Sequence, residues 1–344
     1  MKFWLITGAA GFIGANFVNN LIFNNDDKYI VIDDLTYAGD LSRIENFLNR
    51  PDTLFIKANI SNRKAIEKIF NDYKIDIIIH FAAESHVDRS ILDPNVFIKT
   101  NIEGTFNLLD LARKNWTDFS NKLFLHISTD EVFGTLNMDD NPFNEESAYK
   151  PNSPYSASKA SADLLVYSYY HTYGLPAIIT NCSNNYGPWQ FPEKLIPLSI
   201  VNAIEKREIP VYGDGKQIRD WIHVDDHCNA LWHIIKKGRV GDRYCIGGEC
   251  ERTNINIIKE ICKIADKILN RSTGETEKLI KYVKDRPGHD RRYAINNAKM
   301  YKELCWKPRY NIDIMLEAIF LWYMNNISWV TNVRTGVYKD FYKI

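Results

Sequence analysis

The chain has 344 residues, enough for two domains or one large one. Lys+Arg and Asp+Glu both number 43, so no net charge draws it toward nucleic acid or an anionic membrane. No apolar run approaches the length of a transmembrane helix, while 45% hydrophobic residues can bury a sizeable core.

The cysteines (Cys182, Cys228, Cys245, Cys250, Cys262 and Cys305) form no CxxC pair. A strand-like segment begins at Phe3 with no cleavage-site pattern behind it. Reduced, buried thiols in a cytoplasmic globular protein are therefore expected.

Phe3-Trp4-Leu5-Ile6-Thr7 reads as a short buried strand. Gly8, Gly11 and Gly14 follow at once, and Ile13, Phe17 and Leu21 recur at helical spacing. Strand, glycine turn and helix form the context of a dinucleotide site. Glycines let the backbone approach a pyrophosphate, and the helix N-terminus offers N–H groups and partial positive charge. Tyr29-Ile30-Val31-Ile32 is the next strand and ends in Asp33. That acid lies about 20 residues past the last glycine, where a ribose 2′-hydroxyl needs an acceptor. A carboxylate there repels a 2′-phosphate, and Asp34, Leu35 and Thr36 supply no base, so NAD is expected over NADP. The other reading of Asp33 is a loop acid capping a turn.

Leu54-Phe55-Ile56 is a third strand, and Ile66, Ile69, Phe70 and Tyr73 form a helical stripe. Asp76 to Phe81 is a fourth strand, nearly all apolar, as a parallel strand covered on both faces should be. Ala82 and Ala83 beyond it are small enough for a cofactor to lie close. Asn95 to Asn115 reads as one long helix. Leu123 to Ile127 is a fifth strand, and Ser128-Thr129-Asp130-Glu131 stand where it should end. Chemistry in open α/β sheets sits beyond such strand ends. Ser153-Pro154 starts a helix, and Ala177 to Thr180 is a sixth strand. The alternation predicts a Rossmann-type, doubly wound parallel sheet. Past Tyr186 the pattern is irregular, and a smaller C-terminal α/β lobe is expected. Residues 1–188 would be mainly the NAD-binding domain and 189–344 mainly the nucleotide-sugar-binding lobe, with some elements returning to the first.

Tyr155 and Lys159 are four residues apart, so a helix puts them on one face. A phenol near pKa ~10 is a poor base at neutral pH. A neighbouring ammonium favours the phenolate, and Tyr155 could then take a proton from a substrate hydroxyl. The alternative is a Tyr–Lys pair on a solvated helix face.

Together these residues resemble the extended short-chain dehydrogenase/reductase (NAD-dependent epimerase/dehydratase) family. The match lies in Gly8 to Gly14, Asp33, and Tyr155 with Lys159. Further stretches are similar to the dTDP-glucose 4,6-dehydratase group within it: Leu35 to Gly39, Ala82 to Ser90, Ser128 to Gly134, Asn184 to Pro188, and Arg286 to Tyr293. They span nearly the whole chain in order. Thr129-Asp130-Glu131 separates a dehydratase from an epimerase, because expelling water requires an acid and a base, and paired carboxylates in different environments can divide those roles.

The resemblance implies a lyase with an internal NAD redox cycle. Tyr155, helped by Lys159, deprotonates the glucosyl C4 hydroxyl as C4 is oxidised, and Thr129 hydrogen-bonds the oxygen at C4. Glu131 removes the C5 proton while Asp130 protonates the departing C6 hydroxyl. Re-reduction at C6 yields the dTDP-4-keto-6-deoxy-glucose of deoxysugar (rhamnose-type) biosynthesis.

Family position assigns Gly8, Gly11, Phe12, Ile13 and Gly14 to the cofactor. Asp33, Asp34, Leu35, Thr36, Asn59 and Ile60 join them. So do Phe81, Ala82, Ala83, Ser85, Thr100, Tyr155, Lys159 and Asn185. Substrate contacts are assigned to Ser85, Thr129, Asn184, Lys194 and Leu195, then to Pro210, Tyr212, Arg219 and Asn254, and finally to Asp285, Arg286 and His289. Arg219 and Arg286 suit a diphosphate, since a guanidinium binds two oxygens at once. Asn59 stands where the family usually has Asp near the adenine; its amide carbonyl could still accept from the adenine amino group. Family members pair through the helices at 95–115 and 155–173, so a homodimer is implied.

The alternatives are a UDP-glucose 4,6-dehydratase, a C4 epimerase, a UDP-glucuronate decarboxylase, and an NAD-binding scaffold or redox sensor without catalysis. Asp130-Glu131 argues against the epimerase. Asn184-Asn185 before Tyr186-Gly187-Pro188 argues against the decarboxylase, and the retained Tyr155 and Lys159 against the scaffold. No metal is expected: His223, Asp225 and Asp226 fit no ligand spacing, and Asp225 is read as a helix cap. His80 and His126 are read as packed strand residues. The mixed charges from Lys278 to Arg292 are not a nucleic-acid patch, and the aromatic tail from Trp322 to Tyr342 carries no assigned role.

Overall fold

The computed structural model describes residues 1–20 and 26–335. Its first six strands are β1 (Phe3–Thr7), β2 (Lys28–Asp33), β3 (Thr53–Lys57), β4 (Ile77–His80), β5 (Leu123–Thr129) and β6 (Ala177–Cys182). After them come β7 (Asn184–Tyr186), β8 (Ile209–Tyr212), β9 (Ile218–His223), β10 (Arg243–Ile246), β11 (Glu251–Thr253) and β12 (Ile280–Val283).

Seven strands form one parallel sheet in the order β10-β6-β5-β4-β1-β2-β3. Every residue of β4, β5 and β6 is buried, because helices cover both faces. Alternation sorts the strand side chains. Ile6, Val31, Ile79 and Leu125 pack with Phe17, Leu231 and Ile234 on one face. Leu5, Ile30, Ile78 and Phe124 pack with Ile66, Leu108 and Val166 on the other. The chain runs outward through β2 and β3, then returns to place β4 on the other side of β1. That reversal opens a crevice at the carboxyl ends of β1 and β4, the position where such sheets bind ligands. The doubly wound sheet expected from the βα alternation is thus present.

Two smaller sheets, β11-β9-β7 and β12-β8, form the second lobe. Tyr186, Val211 and Trp221 pack there with Ile200, Ile257, Ile261 and Phe320. The lobes interlace: β10 pairs with β6 at the edge of the main sheet, while β7 pairs with β9 in the small one.

Four details differ from the sequence reading. First, β5 continues through Ser128 and Thr129, which pair with Asn181 and Cys182 of β6; a tight 3-10 turn, Asp130–Phe133, follows. Second, the expected helix at 95–115 begins at Pro94 and is interrupted by a π-helical stretch, Ile98–Gly104. The wider turn lets the Asn101 amide bond the backbone N–H and C=O of Glu84 at 2.9 and 3.0 Å. Third, His223, not Asp225, caps the helix Val224–Lys237: its Nδ1 accepts from the Asp225 N–H at 3.2 Å. Fourth, Tyr73 is the C-terminal cap of the helix Arg63–Asp72 rather than part of it.

Leu21 and the tail beyond residue 335 lie outside the described residues. Within them, Trp322 and Trp329 pack edge-on against Trp189. No described helix is long and apolar enough to cross a membrane, and no described group of His, Cys, Asp or Glu could hold a metal ion.

Candidate active site

A cavity of about 420 Å³ lies over the β1/β4 crevice. Gly8 ends β1 with φ +70, and a Cβ there would stand 2.6 Å from the Ala82 backbone nitrogen. A bare backbone is therefore required where the turn meets the end of β4. The Gly11 N–H closes the turn on the Gly8 carbonyl at 3.2 Å, and the helix Phe12–Asn20 starts at the cavity wall. Asp33 ends β2; its carboxylate accepts from the N–H groups of Ala10 at 3.0 Å and Leu35 at 2.8 Å. Burial raises its pKa, against the pull of those N–H groups and of Arg43. A glycine cradle under a helix N-terminus, with a carboxylate one strand away, fits a dinucleotide.

The cavity is lined by Gly8, Gly11, Phe12, Ile13 and Gly14, and by Asp33, Asp34, Thr36, Asn59 and Ile60. Phe81, Ala82, Ala83, Ser85 and Thr100 line it from the β4 side, with Tyr155, Lys159 and Asn185 at its inner end. Leu35 does not: it turns the chain at φ +53 and its side chain packs into the core. Asn59 donates to Asp34 at 2.8 Å, and its carbonyl oxygen accepts from the Ser61 N–H and hydroxyl at 2.8 and 2.7 Å. The acceptor expected to meet adenine is thus engaged locally. Arg43, which the sequence reading missed, also lines the cavity beside Asp33. Its guanidinium donates to the Ala10 carbonyl at 2.8 Å and lies over the Trp329 ring.

A second cleft of about 720 Å³ adjoins the first, and both are lined by Glu131, Asn184, Asn185, Gln190, Glu193 and Lys194. Leu195, Pro210, Tyr212, Arg219, Asn254, Arg286 and His289 line only the larger one. Ser85 and Thr129 line the smaller. Asp285 lines neither; it accepts from Gln217 at 3.0 Å and meets His289 Nδ1 at 2.6 Å, so it buttresses the wall. Arg219 is buried, donates to the Asp290 carbonyl at 3.0 Å and stacks on Tyr293 with 4.3 Å to the ring centroid. Arg286 faces Asp88 at 3.6 Å.

Glu193, also missed, sits where the two spaces meet. The Tyr37 hydroxyl donates to it at 2.9 Å, and His86 Nε2 lies 3.5 Å away. Burial pushes its carboxyl up to about 7. Its place just before Lys194 was the one available signal.

The side chains expected to do chemistry converge at this junction. Thr129 closes β5 and its hydroxyl accepts from the Glu131 N–H at 3.2 Å, capping the 3-10 turn. Asp130 is buried; Thr129 donates to its Oδ1 at 3.3 Å, and Oδ2 has no partner. Burial, then the charges of Glu131 and Asp220, raise the Asp130 pKa well above the usual carboxylate range, which favours its protonated form. Burial raises Glu131 too, but Arg286, Arg219 and Lys194 oppose the rise. Burial thus raises both carboxyls, Asp130 well above its ordinary value and Glu131 against the pull of three cations, so the two neighbours stand in different environments.

Tyr155 and Lys159 lie on the helix Pro154–Tyr173, fixed at its start by a capping box between Ser153 and Ser156. Lys159 Nζ donates to the Ile127 carbonyl at 2.8 Å, and burial lowers its pKa to about 8. The expected lowering of Tyr155 is not seen. Burial raises it well above 10.0, and Glu131's charge adds to that; a hydrogen bond with Thr129 is the opposing influence. That favours the protonated phenol.

The family model described as GDP-mannose 4,6 dehydratase matches residues 5–319. The dTDP-glucose 4,6-dehydratase of Xanthomonas campestris pv. campestris (strain B100) is 47% identical, over 98% of each chain. The crystal structure of the dTDP-glucose 4,6-dehydratase from Bacillus anthracis str. Ames, in complex with NAD, aligns at TM-score 0.85 with 42% identity, covering 97% of this chain and 100% of that one. The Streptomyces venezuelae dTDP-glucose 4,6-dehydratase, also with NAD bound, aligns at TM-score 0.88 with 38% identity, covering 96% and 100%. Matched over nearly its full length by such relatives, the chain belongs to the dTDP-glucose 4,6-dehydratases of the NAD-dependent epimerase/dehydratase family.

Proposed function

We propose that the protein is a dTDP-glucose 4,6-dehydratase, converting dTDP-glucose to dTDP-4-keto-6-deoxy-glucose with NAD as a retained cofactor. One observation carries this reading: Asp130 and Glu131, in opposed environments, meet Tyr155 where the dinucleotide cavity opens into the larger cleft. An epimerase has no use for such a pair.

The glycine turn, Asp33 and the walls from Phe81 to Ser85 would hold NAD. When bound, it would supply a hydride acceptor for C4 and a hydride donor for C6, and positive charge to offset Glu131. Lys194, Arg219 and Arg286 bring cations to the cleft that takes the diphosphate. Tyr155 accepts the C4 hydroxyl proton only after its own proton has left, with Lys159 compensating the phenolate, and release of the proton it gains balances the one Asp130 later gives up. Thr129 hydrogen-bonds the oxygen at C4. Once C4 is a ketone the C5 proton is acidic, and Glu131 removes it. Asp130 gives its proton to the C6 hydroxyl, which leaves as water. Glu131 then returns its proton to C5 as C6 is reduced.

Pairing of two copies through the helical face is part of the proposal. Leu92, Ile98, Phe106, Leu164 and Tyr167 are exposed there, with Leu92 61% and Leu164 55% accessible. Contiguous exposed apolar side chains of this kind mark association surfaces, and sedimentation velocity gives the oligomeric state.

Incubation with dTDP-glucose and, separately, UDP-glucose, followed by alkali, tests the reaction through the absorbance of the 4-keto-6-deoxy sugar. Signal with dTDP-glucose and little with UDP-glucose is expected. Signal mainly with UDP-glucose would change the substrate, and none with either, with NAD bound, would overturn the dehydratase reading.

A further inference from the structure

Behind the catalytic helix lies an acid that the mechanism above leaves unused. Asp163 stands one turn past Lys159 on the same helix and lines neither cavity. Its side chain is 0% exposed. The Tyr149 hydroxyl donates to it at 2.9 Å and the Asn181 amide at 3.1 Å, while His126 Nε2 stands 3.2 Å away. Ser128 faces it from β5. Burial holds His126 down to about 4, so the imidazole is neutral at pH 7 and brings the carboxylate a hydrogen-bonding contact rather than a full positive charge. No described Lys or Arg nitrogen lies within ion-pair distance of Asp163.

Lys159 shows the converse. It too is buried, and its one hydrogen bond is to the Ile127 carbonyl. The groups around it are Tyr155 and Asp163 on its own helix, Cys182 on β6, His126 on β5 and His80 on β4. Of these, Asp163 is the one strong acid. A buried ammonium and a buried carboxylate four residues apart on one helix stabilise each other through the low-dielectric interior.

We propose that Asp163 is a positioning residue: a buried counter-charge, braced by His126, Tyr149 and Asn181, that holds the Lys159 ammonium against the Ile127 carbonyl and so serves Tyr155. The proposal rests on Tyr155 and Lys159 acting as the proton-transfer pair.

Selective ¹³Cε-lysine NMR on the NAD-loaded enzyme tests this, with the Lys159 signal identified by its loss in Lys159→Arg. In the wild-type protein the Lys159 titration is expected near 8, where burial places it. Asp163→Asn moves that titration down by about one pH unit or more, and the alkaline limb of kcat/KM moves with it. An unshifted Lys159 signal in Asp163→Asn, with activity lowered equally at every pH, would overturn the proposal. If the variant does not fold, the wild-type titration decides: a Lys159 already neutral at pH 7 would mean that no counter-charge holds it. The NMR signal needs no turnover, so a shifted lysine in a protein inert toward nucleotide sugars would sink the dehydratase reading and leave this one standing.

Discussion

Asp130 and Glu131 are neighbours on a single 3-10 turn, yet their carboxyls experience different fields. Asp130 meets the negative charges of Glu131 and Asp220, with Arg219 and the Thr129 hydrogen bond opposing, whereas Glu131 has Arg286, Arg219 and Lys194 around it against the one negative charge of Asp290. On the proposed mechanism, the division of labour in a dehydration is set by what each side chain faces, not by residue type. Glu131→Gln should leave C4 oxidation intact and slow elimination by about 10²–10⁴-fold, the usual contribution of a positioned base. A single turnover followed by cofactor absorbance should show the reduced form accumulating. Asp130→Asn should stall at the same stage.

Tyr155→Phe removes the group proposed to take the C4 proton while leaving a ring of nearly the same shape against Phe97, its T-shaped partner. The expected loss is about 10²–10⁴-fold in kcat with KM for the nucleotide sugar nearly unchanged. Steady-state kinetics would show it, and an equal rise in KM would instead mean a binding role.

Gly8→Ala tests the cofactor cradle. The new Cβ would meet the Ala82 backbone at 2.6 Å in a residue with φ +70. The strain is about 1–3 kcal/mol, and the backbone must retreat from the cavity. Calorimetry should show NAD affinity falling by at least about tenfold, with the sheet still folded by circular dichroism.

Asp33→Asn addresses the choice between NAD and NADP. The substitution removes the charge that repels a 2′-phosphate and leaves Arg43 in the same cavity. The NAD/NADP affinity ratio should fall by about tenfold or more. An unchanged ratio would show that Asp33 only ties down the Ala10 turn.

His227 gives a stability test with a defined sign. It is buried beside Asn185, its Nδ1 lying 2.9 Å from the amide oxygen, and burial alone lowers its pKa to about 3. The unfolded chain protonates this histidine near 6.5 and the folded one only near 3, so between those values the unfolded state binds the extra proton. Wild-type stability attributable to His227 is complete above pH 6.5 and declines as pH falls toward 3, by up to about 1.4 kcal/mol per pH unit. The advantage in Tm of wild type over His227→Gln should therefore shrink from pH 7 to pH 5 and stay level above pH 7.

Features carried by neighbouring residues were legible in the sequence. The glycine turn, the acid closing β2, the Ser153-Pro154 helix start and the Tyr155–Lys159 spacing each depend on a few consecutive positions. What depends on distant segments meeting was not. Arg43 reaches Asp33 only because the loop after β2 folds back, and Glu193 matters only because the two cavities meet around it. The phenol of Tyr155 responds to burial and to Glu131, so the helical spacing to Lys159 indicated its partner and not its charge state. Polar Ser128 and Thr129 resembled a turn; pairing with β6 keeps them in the strand.

The placement of β7 and β10 has a consequence for any attempt to divide this protein. β7 leaves the first half of the chain to pair in the small sheet, and β10 leaves the second half to close the edge of the large one. A cut near residue 188 would strip a strand from each half and expose two raw sheet edges, which invite aggregation. The lobes are cross-stitched rather than hinged, so neither can be transplanted onto a relative alone. New substrate preferences must come from replacing side chains along the cleft, not from exchanging modules.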